Sequence, residues 1–476
     1  MKLVYDVKDK PSFGKTLVFA LQQLLAIMAA TIAVPMIISG SYDSVGDVSM
    51  STAAALFGAG VGTLVYLLFT KFRSPVFLGS SFAFLGSMSA AFAGAASMQA
   101  GYLGLIIGAV LAGLVYVVIA LVVKIAGVGW IDKLMPAVVI GPTVAIIGLS
   151  LSGNAVGDLV KGSVLNAEGV PVANTYIALL CGLVTLAVTM LCSTYGKKMI
   201  KMIPFIIGIV AGYAVAAIFT VIGKAAGVEA LQVINFSAFE NMQWLPDFTF
   251  LEAFKGVKDI SGGYIATLAV AYVPVAFVVF AEHIADHKNI SSIIEKDLLK
   301  EPGLHRTLLG DGVGSMLGAF FGGCPNTTYG ESVGCVAISG NASVVTILTT
   351  AILAIVIAFV APFIAFLSTI PSCVMGGVCI ALYGFIAVSG LKMIQNVDLG
   401  DNRNLFVVSV ILIAGVGGLT LNFGKVTLTQ VACALILGIL TNLILKNRNS
   451  KKAGQSVWML SFFLGETHFS PLTNAQ

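Results

Sequence analysis

The segments FVVFAEHIADH (residues 277–287) and GCPNTTYGESVG (residues 323–334) each place one carboxylate, Glu282 and Glu331, inside otherwise apolar sequence. An ionisable residue within a membrane span is costly, so it marks a functional site by default. The second segment also carries Pro, Gly, Asn and Thr, which interrupt a continuous helix. Broken segments at membrane depth are tolerated only where they line a cavity or are packed in protein. Together the two segments predict a polar binding site inside a membrane-spanning fold.

The composition indicates that most of the chain lies in a lipid bilayer. Of its 476 residues, 58% are apolar and only 10% are charged, whereas soluble domains carry roughly 25% charged residues. We therefore expect an all-α polytopic membrane protein without a large soluble domain. The first apolar run, Thr16–Ile38, is too long for the core of a signal peptide and is interpreted as a retained span. The cysteines form no CxxC pair and are interpreted as buried free thiols.

Fourteen segments are candidates for membrane spans, each of which needs about 20 residues or fewer where the helix is broken. They begin near Thr16, Ser51, Pro75, Leu103, Leu134, Tyr176, Met202, Gly263, Leu304, Asn326, Val344, Ser372, Leu405 and Thr427. An even number places both termini on one side. The loops on that side hold all but five of the 26 lysine and arginine residues, the exceptions being Lys161, Lys224, Lys255, Lys258 and Lys425. The positive-inside rule then predicts that both termini are cytoplasmic.

Two internal similarities suggest that the spans form two seven-span repeats, residues 15–224 and 260–447. The spacing of Pro136, Gly141 and Gly148 in span five is similar to that of Pro371, Gly376 and Gly384 in span twelve. SPVFLGSSFAF (residues 74–84) in span three occupies the position of CPNTTYGESVG (residues 324–334) in span ten. An odd number of spans per repeat makes the repeats inverted, and interrupted spans at matching positions point to a transporter's binding site.

The breaks in spans three and ten predict short extended segments followed by half-helices. Pro75 and Pro325 favour an extended residue before them, and Gly79 and Gly330 allow close approach of the backbone. A half-helix that begins at such a break directs free N–H groups toward its N-terminal end. Those groups suit carbonyl oxygens or anions. The alternative is a kinked packing helix without a ligand.

The two glutamates suit a ligand that carries N–H donors, because ionised carboxylates only accept hydrogen bonds. The amide N–H groups of the half-helices suit carbonyl groups on the same ligand. Uracil alternates N–H and C=O groups around a small ring and satisfies both demands. The alternative for either glutamate is a protonated side chain that serves only in packing.

The motif EHIADH allows two further interpretations. Glu282 and Asp286 lie one turn apart on one helix face, which predicts a proton relay. His283 and His287 share a face rotated by about 100°, and a histidine pair at this spacing could bind zinc. No third ligand is apparent, so we expect no metal site. We expect His287 to lie at a solvated helix end near the cytoplasmic mouth.

Several motifs carry a resemblance to a known family. They are LQQLLAIMAATIAVP (21–35), YLLFTKFRSPVFLGSSFAF (66–84), AEHIADHKNI (281–290), KDLLKEPGLHRTLLGDG (296–312), PNTTYGESVG (325–334) and PSCVMGGVCIALYGFIAVSG (371–390). Together they resemble the nucleobase–ascorbate transporter (nucleobase:cation symporter-2) family, in particular its uracil-transporting branch, over nearly the whole chain. The resemblance implies fourteen spans in two inverted repeats. It implies a core domain of residues 15–126 and 263–370 and a gate domain of residues 130–224 and 371–447.

The resemblance also implies a set of site residues and partners. The substrate-binding set is Glu282, Glu331, the backbone N–H groups of Phe82 and Gly330, and the pocket-lining residues Ala30, Tyr329 and Tyr383. Uptake of uracil with a proton through a multi-pass protein of the cytoplasmic membrane is implied, as is a homodimer. Neither a cofactor nor nucleic acid is expected.

The chain departs from the family at two places. Asp286 stands where the uracil transporters have His, which affects the proton route, and Ser332, Ser339 and Gly340 alter the signature that follows Glu331. The alternatives are transport of another nucleobase, such as xanthine or thymine, coupling to sodium in place of protons, and an anion transporter of the same architecture. An enzyme is not expected, because no Ser–His pairing or third metal ligand is apparent.

Overall fold

The computed structural model describes residues 3–127, 136–166, 169–197, 199–240, 242–423 and 426–446. The chain is mostly helical, with three short two-stranded sheets. Leu134, where span five was predicted to begin, lies outside the described residues, as do residue 130 at the start of the predicted gate domain and residue 447 at its end.

The first half of the chain begins with a long helix, a hairpin and a second helix, and a broken segment then leads to a further long helix. Its elements are α1 (Phe13–Ile38), β1 (Gly40–Tyr42), β2 (Gly46–Val48), α2 (Thr52–Phe69), β3 (Leu78–Ser80), α3 (Leu85–Ala93), α4 (Met98–Ala126), α5 (Ala137–Ser150), α6 (Ser152–Leu159), α7 (Thr175–Tyr195), α8 (Met199–Met202) and α9 (Pro204–Ala226). Side-chain caps start three of these helices, at Ser51, Ser97 and Asn174. Ser51 accepts from the N–H of Ala54 at 3.2 Å in α2, and such caps satisfy N–H groups that lack an intrahelical partner.

The second half contains the longest helix of the described residues. Its elements are α10 (Thr249–Ala253), α11 (Gly262–Ile294), α12 (Leu304–Gly322), β4 (Asn326–Thr328), α13 (Gly330–Ser339), α14 (Val344–Ile357), α15 (Ala361–Ser368), α16 (Ser372–Met393), α17 (Asn402–Val416), β5 (Leu421–Phe423), β6 (Val426–Leu428) and α18 (Gln430–Lys446). Ser261 caps α11 by accepting from the N–H of Tyr264 at 3.1 Å. Glu295 follows the last residue of α11 with a left-handed φ of 55°.

Within the described residues, eight helices are long and apolar enough to cross a membrane. The pair α14 and α15, bent by 84°, would be a ninth span, and three further apolar helices are shorter, among them the helical part of span three. This is the composition of a polytopic membrane protein. The count of fourteen crossings and the inverted relation of the two halves stay predictions.

The two predicted breaks are present as strands that pair with each other. Strands β3 and β4 are antiparallel, with Leu78 opposite Thr328, Gly79 opposite Thr327 and Ser80 opposite Asn326. Gly79 is required here, because a Cβ at this position would lie 2.4 Å from the ring of Tyr329. The pairing satisfies backbone groups that a helix would otherwise satisfy internally, which is necessary where the chain is buried away from water.

The helices pack into two groups. In one group α1–α4 surround α11–α15, and α2 approaches α12 so closely that a Cβ on Gly58 would lie 2.7 Å from the carbonyl oxygen of Gly318. In the other group α16 packs on α5, α6 and α7, where a Cβ on Gly390 would lie 2.3 Å from the N of Ala145. Small residues of this kind let membrane helices meet at backbone distance.

An extended N-terminal segment crosses the end of the first group. Tyr5 forms a parallel bridge with Asn341 in the turn between α13 and α14, and the N–H of Val344 donates to the carbonyl oxygen of Val7 at 3.1 Å. Asp6 forms an ion pair with Lys296, just beyond the end of α11. The segment therefore ties the end of α11 to the end of α13.

Candidate functional site

A cleft of about 370 Å³ lies between the two groups of helices. Helices α1, α11 and α13 form one wall, and α5, α7–α9 and α16 form the other. Pockets for small molecules typically occupy about 300–1,000 Å³. The cleft is therefore large enough for a ligand with a single ring.

Three carboxylates lie on the first wall of the cleft. Glu282 and Asp286 are one turn apart on α11, and Glu331 is in the first turn of α13. Each is only partly exposed. On the opposite wall the charged residue is Lys201, which is exposed. The sequence predicted that Glu282 and Glu331 share a pocket, and the structure places both on this wall.

Asp286 is part of the same wall, and its carboxylate is bound to the broken span. The hydroxyl of Thr328, the last residue of β4, donates to Oδ2 of Asp286 at 2.8 Å. Oδ1 of Asp286 lies 3.8 Å from the position that a Cβ on Gly330 would occupy. The described contacts of Asp286 therefore lie with β4 and α13, while the neighbouring Lys288 is exposed.

Helix α13 begins at the cleft, directly after β4. Gly330 is its first residue and is exposed to the cleft, whereas Tyr329 before it is buried. The first N–H groups of an α-helix have no carbonyl partner within the helix. They are therefore available to a ligand beside Glu331, and their partial positive charge favours acceptor atoms.

Polar side chains hold the crossing of the two broken spans, and the sequence analysis assigned this role to none of them. Gln23 of α1 donates from Nε2 to the carbonyl oxygen of Ser332 at 3.2 Å. The hydroxyl of Ser332 accepts from the N–H of Phe77 at 3.1 Å. The hydroxyl of Tyr329 donates to the carbonyl oxygen of Ser80 at 2.7 Å. Polar residues within apolar spans were the available signal for Gln23 and Ser332.

The other predicted pocket residues lie outside the set that lines the cleft. Ala30, Phe82, Tyr329 and Tyr383 are all buried. The rings of Phe82 and Tyr383 meet edge to face with centroids 5.6 Å apart. Because Phe82 follows β3 and Tyr383 lies in α16, this contact joins the two groups of helices.

The prediction for His287 is wrong. Its side chain is fully buried, with 0% exposure. Nδ1 donates to the carbonyl oxygen of His283 at 2.8 Å, and Nε2 lies 2.6 Å from the hydroxyl oxygen of Tyr66. The exposed position was inferred from Lys288, which directly follows His287. Successive residues on a helix point about 100° apart, so an exposed lysine does not make its neighbour exposed. No group of three or more metal-binding side chains occurs within the described ranges.

Sequence reasoning also overlooked Asp311, a buried acid in α12. Its Oδ2 lies 2.6 Å from Nδ1 of His283. The same criterion that identified Glu282, an acid within an apolar span, would have found it. His283 and Asp311 lie on the side of α11 that faces away from the cleft.

Comparison with known proteins gives a consistent result over almost the whole chain. A family model described as a Permease family, for xanthine and uracil permeases, matches residues 14–423. The uracil permease of Bacillus caldolyticus is 39% identical over 450 residues, which are 94% of this chain and 96% of that protein. The uracil permease of Bacillus subtilis strain 168 is 37% identical, covering 96% and 98% of the two chains. That of Escherichia coli K12 is 35% identical, covering 92% and 93%.

Solved structures with a similar fold include two anion transporters. The transmembrane domain of the cyanobacterial bicarbonate transporter BicA has a TM-score of 0.55 at 16% identity, covering 92% of this chain and all of that one. The murine solute carrier 26 family member A9, an anion transporter in the inward-facing state, has a TM-score of 0.59 at 12% identity, covering 92% and 69%. At this identity the similarity concerns the fold alone.

Proposed function

This chain belongs to the xanthine/uracil permease family, and from that membership we propose that it imports uracil across the cytoplasmic membrane by proton symport. It is a multi-pass membrane protein and a transporter, not an enzyme. The observation that carries the proposal is the wall of the cleft on which Glu282 and Glu331 lie beside the first turn of α13.

The chemistry of that wall complements uracil. Ionised Glu282 and Glu331 accept hydrogen bonds from the two ring N–H groups. The backbone N–H of Gly330 on that wall donates to one ring carbonyl, and that of Phe82 donates to the other once the two groups of helices close around the base. Ala30, Tyr329 and Tyr383 line the inner end of the binding region once the two groups of helices close around the base.

The same wall disfavours an anion as substrate. An anion brought beside Glu282, Asp286 and Glu331 would meet like charges, and repulsion is strong where the local dielectric constant is low. Lys201 is exposed on the opposite wall, and it does not offset three acids. Transport of anions by proteins of similar fold therefore does not extend to this chain.

We assign proton coupling to Asp286 and Glu282. Two carboxylates on one helix face within a cleft are unfavourable when both are ionised. The pair therefore keeps one proton in the state that binds uracil and releases it when the cleft opens inward. Because Asp286 accepts from Thr328, its protonation bears directly on the strand that leads into α13.

The proposal includes a topology and an assembly. Fourteen spans form two inverted repeats with both termini in the cytoplasm, and the first group of helices acts as a core domain that moves against a gate domain. The cleft lies close to Lys201 and Asn289, on the side that the lysine and arginine distribution assigns to the cytoplasm, which supports an inward-open state. The gate domain is the proposed site of homodimerisation.

Uptake of radiolabelled uracil by cells that lack their own uracil transporter tests the proposal. We expect accumulation that is inhibited by unlabelled uracil and abolished by a protonophore, at constant sodium. Stronger inhibition by xanthine or thymine than by uracil would assign another substrate. Accumulation that requires sodium and survives the protonophore would replace the proton as the coupling ion.

A further inference from the structure

A second polar cluster lies on the side of α11 that faces away from the cleft. His283 is fully buried, and its Nδ1 lies 2.6 Å from Oδ2 of Asp311 while its Nε2 lies 3.0 Å from the hydroxyl of Thr307. His287 stacks on His283 with ring centroids 4.0 Å apart. None of these residues lines the cleft.

The part of this cluster around His287 is complete in its hydrogen bonds. A carbonyl oxygen only accepts, so Nδ1 of His287 carries the proton that is donated to His283. Nε2 of the neutral ring then accepts from the hydroxyl of Tyr66 at 2.6 Å. The hydroxyl of Ser74 lies 2.6 Å from that of Tyr66 and completes the chain.

The part around Asp311 is not complete within the protein. Nine buried side-chain oxygens of the described residues have no hydrogen-bond partner, and three of them lie together here: Oδ1 of Asp311, Oδ1 of Asn326 and the hydroxyl of Tyr116. Their residues line one small cavity, together with Phe84, Gly113 and Ser315. The cavity leaves about 10 Å³ for the centre of a water molecule, which is close to the space that one water needs.

The donors and acceptors around this cavity match a single water. Oδ1 of Asp311 accepts, because Oδ2 is the oxygen that shares any proton with Nδ1 of His283. Oδ1 of Asn326 also accepts, because its Nδ2 donates to the carbonyl oxygen of Gly58 at 3.0 Å. The hydroxyl of Tyr116 can donate. A water gives two hydrogen bonds to the first two atoms and accepts one from the third, and three bonds are typical of buried water. We propose that this cavity binds one water molecule that bridges Asp311, Asn326 and Tyr116.

A metal cation fits the cavity less well than water. A cation cannot accept the hydroxyl proton of Tyr116, which would remain unpartnered at a buried position. Calcium and magnesium also take six or more oxygen ligands, and this cavity offers few. Uncompensated burial of polar groups is costly, so the ligand that satisfies all three atoms is favoured.

The proposed water joins elements that pack behind the wall of the cleft. Asp311 is in α12, Asn326 begins β4, and Tyr116 is in α4. Through the contact of His283 with Asp311, the bridge extends to α11, where Glu282 is the neighbouring residue. Strand β4 leads within a few residues to Glu331. The water therefore holds α11 and β4, which present the acids, against α4 and α12.

Two matched tyrosine variants test the water without reference to any substrate. Tyr116→Phe removes a hydroxyl that the proposal gives a partner, so we expect the apparent melting temperature of the purified protein to fall by roughly 2 °C. Tyr272→Phe is the control, because the Tyr272 hydroxyl is equally buried and without a partner in the described part of the chain. Tyr272 does not line the cavity, so its variant should melt at an unchanged or higher temperature. A Tyr116→Phe protein that melts at or above the temperature of the parent overturns the proposal.

Two further measurements complete the test. In a density map of about 2 Å resolution, a peak within hydrogen-bond distance of the three oxygens supports the water, and clear density for the side chains with no peak overturns it. Melting temperatures in sodium and in choline chloride address a cation. Equal values support water, whereas a higher value in sodium that Tyr116→Phe abolishes would assign the cavity to that ion and overturn the proposal.

Discussion

The hydroxyl of Thr328 donates to Oδ2 of Asp286 at 2.8 Å, which joins the end of a broken span to the helix that carries Glu282. This bond places Asp286 on the wall of the cleft, at the level of the first residue of α13. A change in the protonation of Asp286 alters its hydrogen bond with Thr328 and so acts on β4. A surface acid that only caps a helix would have no such contact.

Replacement of Asp286 by Asn should separate binding from accumulation. The amide keeps an oxygen that accepts from Thr328, so uracil should still bind and exchange across the membrane. The variant cannot take up a proton, so accumulation driven by a proton gradient should collapse. Uptake with and without an imposed gradient, in proteoliposomes, measures both. The control is Asp43→Asn, which changes an exposed acid in the turn of the β1–β2 hairpin. Full accumulation by Asp286→Asn with unchanged pH dependence would leave Glu282 as the coupling residue.

Replacement of Glu331 by Gln should weaken uracil binding directly. The change keeps the size of the side chain but puts an amide donor opposite a ring N–H, and such a mispairing costs about 1–3 kcal/mol. That corresponds to a roughly 5- to 150-fold higher Kd. Binding of radiolabelled uracil to purified protein measures it. Glu240→Gln, at an exposed glutamate in the loop before α10, should leave the Kd unchanged. Equal affinity in the Glu331 variant would show that this carboxylate does not contact the base.

Gly330 and Phe82 should respond differently to substitution. A Cβ on Gly330 meets only Oδ1 of Asp286, at 3.8 Å, so Gly330→Val should fold normally and fill the space where the base approaches the backbone. Phe82→Ala removes packing but keeps the N–H group. We therefore expect binding to be weaker in Gly330→Val than in Phe82→Ala at equal expression. The reverse order would argue against backbone contacts to the substrate.

Gly79→Ala provides the opposite case to Gly330. Its new methyl group would overlap the ring of Tyr329, with atoms 2.4 Å apart. We expect a lower melting temperature and poor yield in place of a selective loss of binding. A Gly79→Ala protein as stable as the parent would mean that β3 and Tyr329 can separate without cost.

The N-terminal segment should be anchored in a pH-dependent way. The hydrogen bond from Lys296 holds the pKa of Asp6 below the usual range of an aspartate carboxyl. A depressed pKa means that the pair stabilises the folded protein above about pH 4 and that this contribution is lost as the pH falls through the folded pKa. Asp6→Asn should therefore melt slightly below the parent at pH 7, and the difference should shrink below pH 4. A difference that persists unchanged at pH 3 would assign the effect to something other than this charge pair.

The sequence allowed prediction of the parts of the site whose signal is local. Glu282 and Glu331 are acids within apolar segments, and Pro325 with its small neighbours marks the break that the structure shows as β4. Partners far apart in the chain left no such signal. The pairing of β3 with β4 and the contact of Tyr66 with His287 both join residues more than 200 positions apart. A hydrophobic pattern indicates which face of a helix is buried, but it does not indicate which polar group of another element contacts that face.

The pairing of β3 with β4 makes the spacing of residues in span ten a fixed quantity. Side chains alternate between the faces of a strand, so a slip of one residue reverses all of them. One residue inserted between Pro325 and Gly330 would turn Thr328 away from Asp286 and displace Asn326 from Gly58. We therefore expect this short stretch to tolerate a conservative substitution better than the insertion of a single residue. The positions of the site residues therefore depend on the number of residues in this stretch, because three pairs of backbone partners fix its register.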